Sequence, residues 1–196
     1  MAFLLGCEKA QVEFPSKMVL DGVSLGVDAG DRIGIVGRNG DGKSTLLALL
    51  SGALEPQEGR VIRTNGVDVG VLGQTDQLDD DDSVGRAIVG DRPEYEWAGD
   101  ARIRAILEGI VGDIPWDKQV GTLSGGQRRR VDLARLLVGD HDVIMLDEPT
   151  NHLDIRSINW LAQHLKERWR PGQGALLVVT HDRWFLDEVC TSMWEV

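Results

Sequence analysis

Residues Gly37-Arg38-Asn39-Gly40-Asp41-Gly42-Lys43-Ser44 spell the pattern G-x-x-x-x-G-K-S. The apolar run Ile33-Gly34-Ile35-Val36 precedes it, and a helical pattern, Thr45-Leu46-Leu47-Ala48-Leu49-Leu50, follows. Strand, glycine loop and helix together are the context that makes this pattern a phosphate-binding P-loop. Glycines let the backbone wrap closely, so successive N–H groups can point at phosphate oxygens. The helix starting there adds its positive dipole end to the same anion. On this reading Lys43 reaches the β- and γ-phosphates and the Ser44 hydroxyl holds Mg²⁺. The fold class that follows is α/β, a P-loop nucleotide-binding core.

The chain has 196 residues, enough for one large domain carrying a small subdomain and a core of its own. Its 42% hydrophobic and 27% charged residues are ordinary for a globular protein, and no apolar run is long enough to cross a bilayer. The first residues have no basic region or cleavage site of a signal peptide and read better as a strand. Cys7 and Cys190 lie far apart without metal-ligand spacing and read as two reduced thiols of a cytoplasmic protein. A net charge of −11 argues against gripping nucleic acid over a broad surface. Arg128-Arg129-Arg130 is the one obvious basic cluster and leaves room for a local patch.

Gln11-Val12-Glu13-Phe14 reads as a strand end, Pro15-Ser16-Lys17 as a turn, and Val19–Val27 as a second strand or two short ones. The helix after the P-loop is expected to stop near Ser51-Gly52. Residues 59–63 and 67–73 read as two strands of a hairpin around Asn65-Gly66, with Gln74 directly after the second. Residues 75–122 change to helical patterns and are expected to be a helical subdomain inserted into a core made of 1–74 and 123–196. The run Asp79-Asp80-Asp81-Asp82 reads as a solvated loop before a helix near Ser83, not as a metal site. Val143-Ile144-Met145-Leu146 and Ala175–Thr180 are continuous apolar runs, as in buried parallel strands. Between them Ile155, Ile158, Leu161 and Leu165 mark the inner face of a helix.

The P-loop, Asp147-Glu148 and His181 all follow strands that are expected to be parallel neighbours. Ligands of open α/β sheets bind at the carboxyl ends of strands, so these groups converge on one site. An apolar run ending in Asp is the Walker B pattern, in which Asp147 helps hold Mg²⁺. Side chains alternate along a strand, so Glu148 points elsewhere and can polarise an attacking water. His181 can contact the γ-phosphate or that water.

Leu123-Ser124-Gly125-Gly126-Gln127 is a second glycine-rich helix start, with Ser124 as a good N-cap. It lies about twenty residues before the Walker B strand, at the end of the inserted segment. Together with the P-loop, Gln74 after a strand, Leu146-Asp147-Glu148-Pro149-Thr150-Asn151-His152-Leu153-Asp154 and His181, this order resembles the ABC-type ATPases over nearly the whole chain. The resemblance implies a P-loop NTPase core of ABC type with an antiparallel β subdomain and an inserted helical subdomain. It also implies hydrolysis of ATP with Mg²⁺ at a composite site, between the P-loop of one unit and the signature of another. Carried over by position, Gly37, Arg38, Asn39, Gly40, Asp41, Gly42, Lys43, Ser44 and Thr45 bind ATP, and Gln74 touches Mg²⁺ or water. Ser44, Gln74 and Asp147 serve the metal, Glu148 is the general base, His181 is the switch and Asp154 lies in the D-loop. Ser124, Gly125, Gly126 and Gln127 face the ATP of a partner unit. Phe14 is the candidate for stacking on adenine.

Asp147–Asp154, together with Thr180-His181-Asp182-Arg183-Trp184-Phe185-Leu186-Asp187, resembles the ABC-F group in particular, and its Uup-like branch most closely. Members of that group carry two ABC units in one chain, have no membrane domain, and act at the ribosome or, for the Uup branch, on DNA structure. The resemblance therefore implies a cytoplasmic protein whose partner is a second ABC unit, downstream in the same chain or in a second copy. This segment is expected to be the N-terminal unit of a longer protein, with ribosome or nucleic acid contacted through regions outside it. The alternatives are the ATPase subunit of a membrane transporter and a nucleotide-gated scaffold in which hydrolysis only resets the state.

Overall fold

A computed structural model describes residues 2–196 of the chain. Its contacts divide the chain into two units: residues 1–74, 141–149 and 166–196 form the first, and residues 75–140 and 150–165 the second.

The first unit is built on two sheets. β1 (Phe3–Phe14) pairs antiparallel with β2 (Lys17–Asp28) and with β4 (Glu58–Arg63), giving the order β2-β1-β4. A five-stranded sheet contains β3 (Arg32–Val36), β5 (Val69–Leu72), β6 (Val143–Asp147), β7 (Ala175–Val179) and β8 (Ser192–Glu195) in the order β5-β6-β7-β3-β8. All of its pairings are parallel. Every residue of β6 and β7 is buried, as their uninterrupted apolar sequences require. Helix α1 (Lys43–Ser51) lays Leu46, Leu47, Leu49 and Leu50 into the core that also takes Leu5, Val12, Ile35, Met145 and Leu177. The register pairs Val179 with both Ile35 and Asp147, so the chain leaves β3, β6 and β7 at the same edge.

One sequence expectation fails here. The strands flanking Asn65-Gly66 are not a hairpin: β4 pairs with β1 in the antiparallel sheet and β5 with β6 in the parallel one. The turn is real, with Gly66 at φ +84°, but it carries the chain from one sheet to the other.

The second unit is helical. It contains α2 (Val84–Val89), α3 (Glu94–Trp97), α4 (Ala101–Ile106) running on into a π-helical turn (Leu107–Val111), α5 (Gly125–Val138), and α6 (Ile155–Glu167) as far as Leu165. Ser83 caps α2 by accepting from Arg86 N, and Asp100 caps α4 by accepting from Arg102 N and Ile103 N. Helix α5 packs against α2 and α4 through Val131, Ala134 and Leu137 on its buried face, so this unit is larger than residues 75–122 alone. The π-helical turn carries Gly109, where a Cβ would run into the Trp160 ring. In α6, Leu161 and Leu165 are buried and Ile158 is half-buried, but Ile155 is 79% exposed. The periodicity that placed Ile155 on the inner face runs one turn too far, because the helix only starts at that residue.

Candidate functional site

The glycine-rich loop at the end of β3 is closed by short-range bonds. Arg38 N donates to Asp41 Oδ2 at 2.9 Å and Asp41 N to Arg38 O at 3.2 Å, closing the turn on itself. Lys17 Nζ, from the start of β2, donates to Gly40 O at 2.8 Å and lies 3.8 Å from Asp41 Oδ1. Gly42 caps α1 at φ +107°, a conformation that favours glycine, and a Cβ there would collide with Val19. No side chain caps α1, so its first-turn N–H groups are left pointing outward at the helix's positive end. Lys43 is buried and curls back, with Nζ donating to Gly37 O at 2.9 Å and Arg38 O at 2.8 Å. Its ammonium is thus held inside the loop.

Residues from the neighbouring strands join it. Gln74 Nε2 donates to Ser44 Oγ at 2.9 Å. Asp147 ends β6 and is buried at 4% exposure. Glu148 follows at φ +50°, a left-handed conformation uncommon for a residue with a Cβ, and its N–H donates to Val179 O at 2.7 Å. The left-handed turn falls directly after the last residue of β6. His181 Nε2 lies 3.0 Å from Asn39 Oδ1 and 3.3 Å from Glu148 Oε1. Both neighbours present oxygens, an arrangement that a hydrogen on Nε2 satisfies. Asn39, Glu148 and His181 come from the ends of β3, β6 and β7, the three adjacent central strands. Phe14 closes β1 beside the turn into β2 and is 44% exposed. Thr45 lies in the first turn of α1.

In the helical unit, Leu123–Gln127 opens α5. Ser124 and Gln127 form a reciprocal capping box: Gln127 N donates to Ser124 Oγ at 3.2 Å, and Ser124 N to Gln127 Oε1 at 3.1 Å. Around Gly125 a Cβ would meet open space, whereas one on Gly126 would stand 3.2 Å from Nδ1 of His152. His152 itself sits at φ +66°. Asp154 accepts from Ser157 N at 2.7 Å, and this bond holds its carboxyl below the usual range.

Arg128-Arg129-Arg130 is not an open basic patch. Arg128 donates to both oxygens of Asp76 at 2.9 Å and also bonds Asp80, while Arg130 bonds Asp113 at 2.6 and 3.0 Å. Arg129 is also engaged. The Arg128 and Arg130 guanidiniums hold the Asp76 and Asp113 carboxyls below the usual range. Further along α5, burial pushes the Asp132 carboxyl up although Arg135 lies 2.7 Å away. Burial also raises both thiols, Cys190 to about 12, which leaves them unreactive. The roles of Lys17, Arg128 and His152 in these turns went unread in the sequence. Their partners are 23 or more residues away, and no local pattern announces them.

The sequence profile of the family described as ABC transporter matches residues 20–151. The energy-dependent translational throttle protein EttA of Mycobacterium tuberculosis is 34% identical over 231 residues, covering 99% of this chain and 40% of EttA. The tylosin resistance ATP-binding protein TlrC of Streptomyces fradiae is also 34% identical, over 225 residues, covering 93% of this chain and 40% of TlrC. The chain thus spans about two fifths of the length of these relatives. Among solved structures, RNase-L Inhibitor superposes with a TM-score of 0.83 at 26% identity, covering 99% of this chain and 37% of that one. Fold, motif order and relatives agree, and the chain belongs to the ABC transporter family as an ABC-F-like ATP-binding unit.

Proposed function

We propose that this chain is the Mg²⁺-dependent ATP-hydrolysing unit of a cytoplasmic ABC-F protein of the Uup-like branch, its N-terminal unit, working against a second ABC unit. That second unit is either downstream in the same protein or a second copy. The observation that carries the reading is the contact of His181 with both Asn39 and Glu148, beside a lysine folded into the P-loop. It gathers a base, a proton-bearing imidazole and a phosphate cradle at one sheet edge.

In this account the loop amides and the α1 N-terminus bind the phosphates, and Lys43 exchanges its carbonyl partners for phosphate oxygens. Phe14 stacks on adenine. Ser44, Gln74 and Asp147 offer hydroxyl, amide and carboxylate oxygens, the hard donors magnesium takes, and two of these side chains already lie 2.9 Å apart. Bound there, Mg²⁺ would neutralise charge on the β- and γ-phosphates. Glu148 orients a water and takes its proton as the water oxygen attacks the γ-phosphorus. The bond from that phosphorus to the bridging oxygen breaks, and ADP leaves with the electron pair. His181 donates its Nε2 hydrogen to the γ-phosphate or the water. Ser124, Gly125, Gly126 and Gln127 complete the site on the partner unit's ATP, and Asp154 serves the D-loop. The names of EttA and TlrC, a translational throttle and a resistance protein, favour the ribosome as the target. DNA structure is the second candidate.

Glu148→Gln tests the chemistry in the full-length protein. Turnover should fall by at least about 10²-fold while ATP stays bound and the two ABC units stay associated. Hydrolysis at the wild-type rate would remove Glu148 as the base.

A further inference from the structure

The signature turn has a weakness of its own. Gly125 and Gly126 offer no side chains to pack, and glycine loses more freedom on ordering than any other residue. The capping box fixes the first turn of α5 internally, but it does not set where that turn points. A turn that must meet a ligand held elsewhere needs anchoring from outside, within about 0.5 Å.

Residues 76–82 supply it on both flanks. Beyond the turn, Arg128 spends its guanidinium on this one segment. Nε bonds both Asp76 oxygens at 2.9 Å, Nη2 lies 2.8 Å from Asp76 Oδ1 and donates to Leu78 O at 3.0 Å, and Nη1 bonds Asp80. Before the turn, Val120 N donates to Asp82 O at 2.9 Å and Gly121 N to Asp80 O at 3.0 Å. A Cβ on Gly121 would press on Asp80, so the two segments lie in direct contact. The acidic segment is folded on itself as well: Leu78 N donates to Asp76 Oδ1 at 3.1 Å, and Asp81 N to Asp79 Oδ1 at 2.9 Å. The Arg128 and Asp76 side chains are only 25% and 20% exposed, so water competes little for this bond. The aspartate run is therefore more than a solvated loop, since one of its members and Asp76 grip the helix that carries the signature.

We infer that residues 76–82 are a strap holding the signature turn in place and that Arg128 is the positioning residue that fastens it. The inference rests on the proposed composite ATPase site, in which Ser124–Gln127 act on a partner unit's ATP. The Arg128 guanidinium bonds Asp76, Asp80 and Leu78 O, so its part is to act through the turn. Lysine would keep the charge but not the fork that grips a carboxylate and a carbonyl together.

The test uses the full-length protein with Arg128→Ala, Arg128→Lys and Asp76→Asn, the last nearly isosteric and safe for folding. With Mg·ATP as substrate, Arg128→Ala should lower kcat about tenfold and leave KM within about twofold, because the protein's own P-loop is untouched. Asp76→Asn should follow in the same direction, and Arg128→Lys should recover only part of the loss. Amide hydrogen exchange of residues 124–128 without nucleotide should quicken about tenfold in Arg128→Ala and Asp76→Asn, with other segments unchanged. Unchanged kcat in folded variants, unchanged exchange at the turn, or a rise in KM matching the fall in kcat would each overturn the strap. If Arg128→Ala does not fold, Asp76→Asn decides the matter on the same two readouts. A wild type that does not turn over ATP would instead remove the proposed function, and the exchange data would still judge the strap.

Discussion

The two glycine-rich helix starts of this chain are finished in opposite ways. At α1 the cap is Gly42, without any side chain, and a buried lysine lies in the loop. At α5 the cap is Ser124, locked to Gln127 by two reciprocal bonds, and the next residue is pinned to carboxylates up to 52 positions away. Both helix ends attract anions for the same reason. The first has no side-chain cap, and on the proposed reading its N–H groups are satisfied by the phosphates of ATP. The second satisfies part of its hydrogen bonding internally, and on the proposed reading its hydroxyl and two glycine amides meet an ATP held by the partner unit. In that reading one is a pocket and the other a preformed touch-plate.

On the proposed reading, variants should separate these ends. Lys43→Ala should have the largest effect, weakening ATP binding by about 100-fold, since charge-assisted bonds contribute about 1.5–3 kcal/mol and Lys43 is expected to make several. Titration calorimetry of ATP reads this directly. Ser124→Arg should leave that affinity within about threefold yet cut turnover by at least about 10²-fold, as expected for loss of groups acting only in the transition state. Equal losses of affinity in both variants would erase the distinction between the two ends.

Phe14→Ala should be milder. A base stacked on an aromatic contributes about 1–3 kcal/mol, so ATP affinity should drop about tenfold, with Phe14→Tyr restoring it. ATP affinity that ignores Phe14→Ala would dismiss it as the stacking residue.

The smallest effect concerns stability at the α5 end. Asp132 is buried, and burial raises its pKa in the folded chain. A carboxyl with a raised folded pKa takes its proton more readily when folded. Its stabilising contribution is full below the unfolded value of about 4 and is lost as pH rises through the folded value. Wild-type stability should therefore decline relative to Asp132→Asn between about pH 4 and neutrality, measured by urea unfolding. A difference that grows in the opposite direction would contradict that assignment.

What could be read from the sequence follows from the range of the forces involved. The strand, loop and helix around Lys43 were legible because their partners are neighbours in sequence, as were the helix start near Ser83 and the Ser124 cap. The path of β4 and β5 into different sheets was not. Both read as strands flanking Asn65-Gly66, and which sheet a strand joins depends on β1 and β6, far away in the chain. The three consecutive arginines stood out as a basic cluster that left room for a local patch, because charge was visible and pairing with Asp76, Asp80 and Asp113 was not. Ile155 counted as core by periodicity, yet a helix's first residue has no preceding turn to bury it. At Glu148 the sequence suggested a carboxylate turned from its neighbour, but not the left-handed turn of its backbone.

The composite site is the central claim, and mixing two dead variants of this chain tests it most directly. Lys43→Ala loses the pocket and Ser124→Arg loses the touch-plate, so neither should hydrolyse ATP alone. In an equal mixture at high concentration, half of the pairs are mixed and each restores one complete site, so about a quarter of wild-type activity should return. A mixture of these isolated units as inactive as its components, beside a wild-type unit that turns over ATP as a strict monomer, would contradict the account.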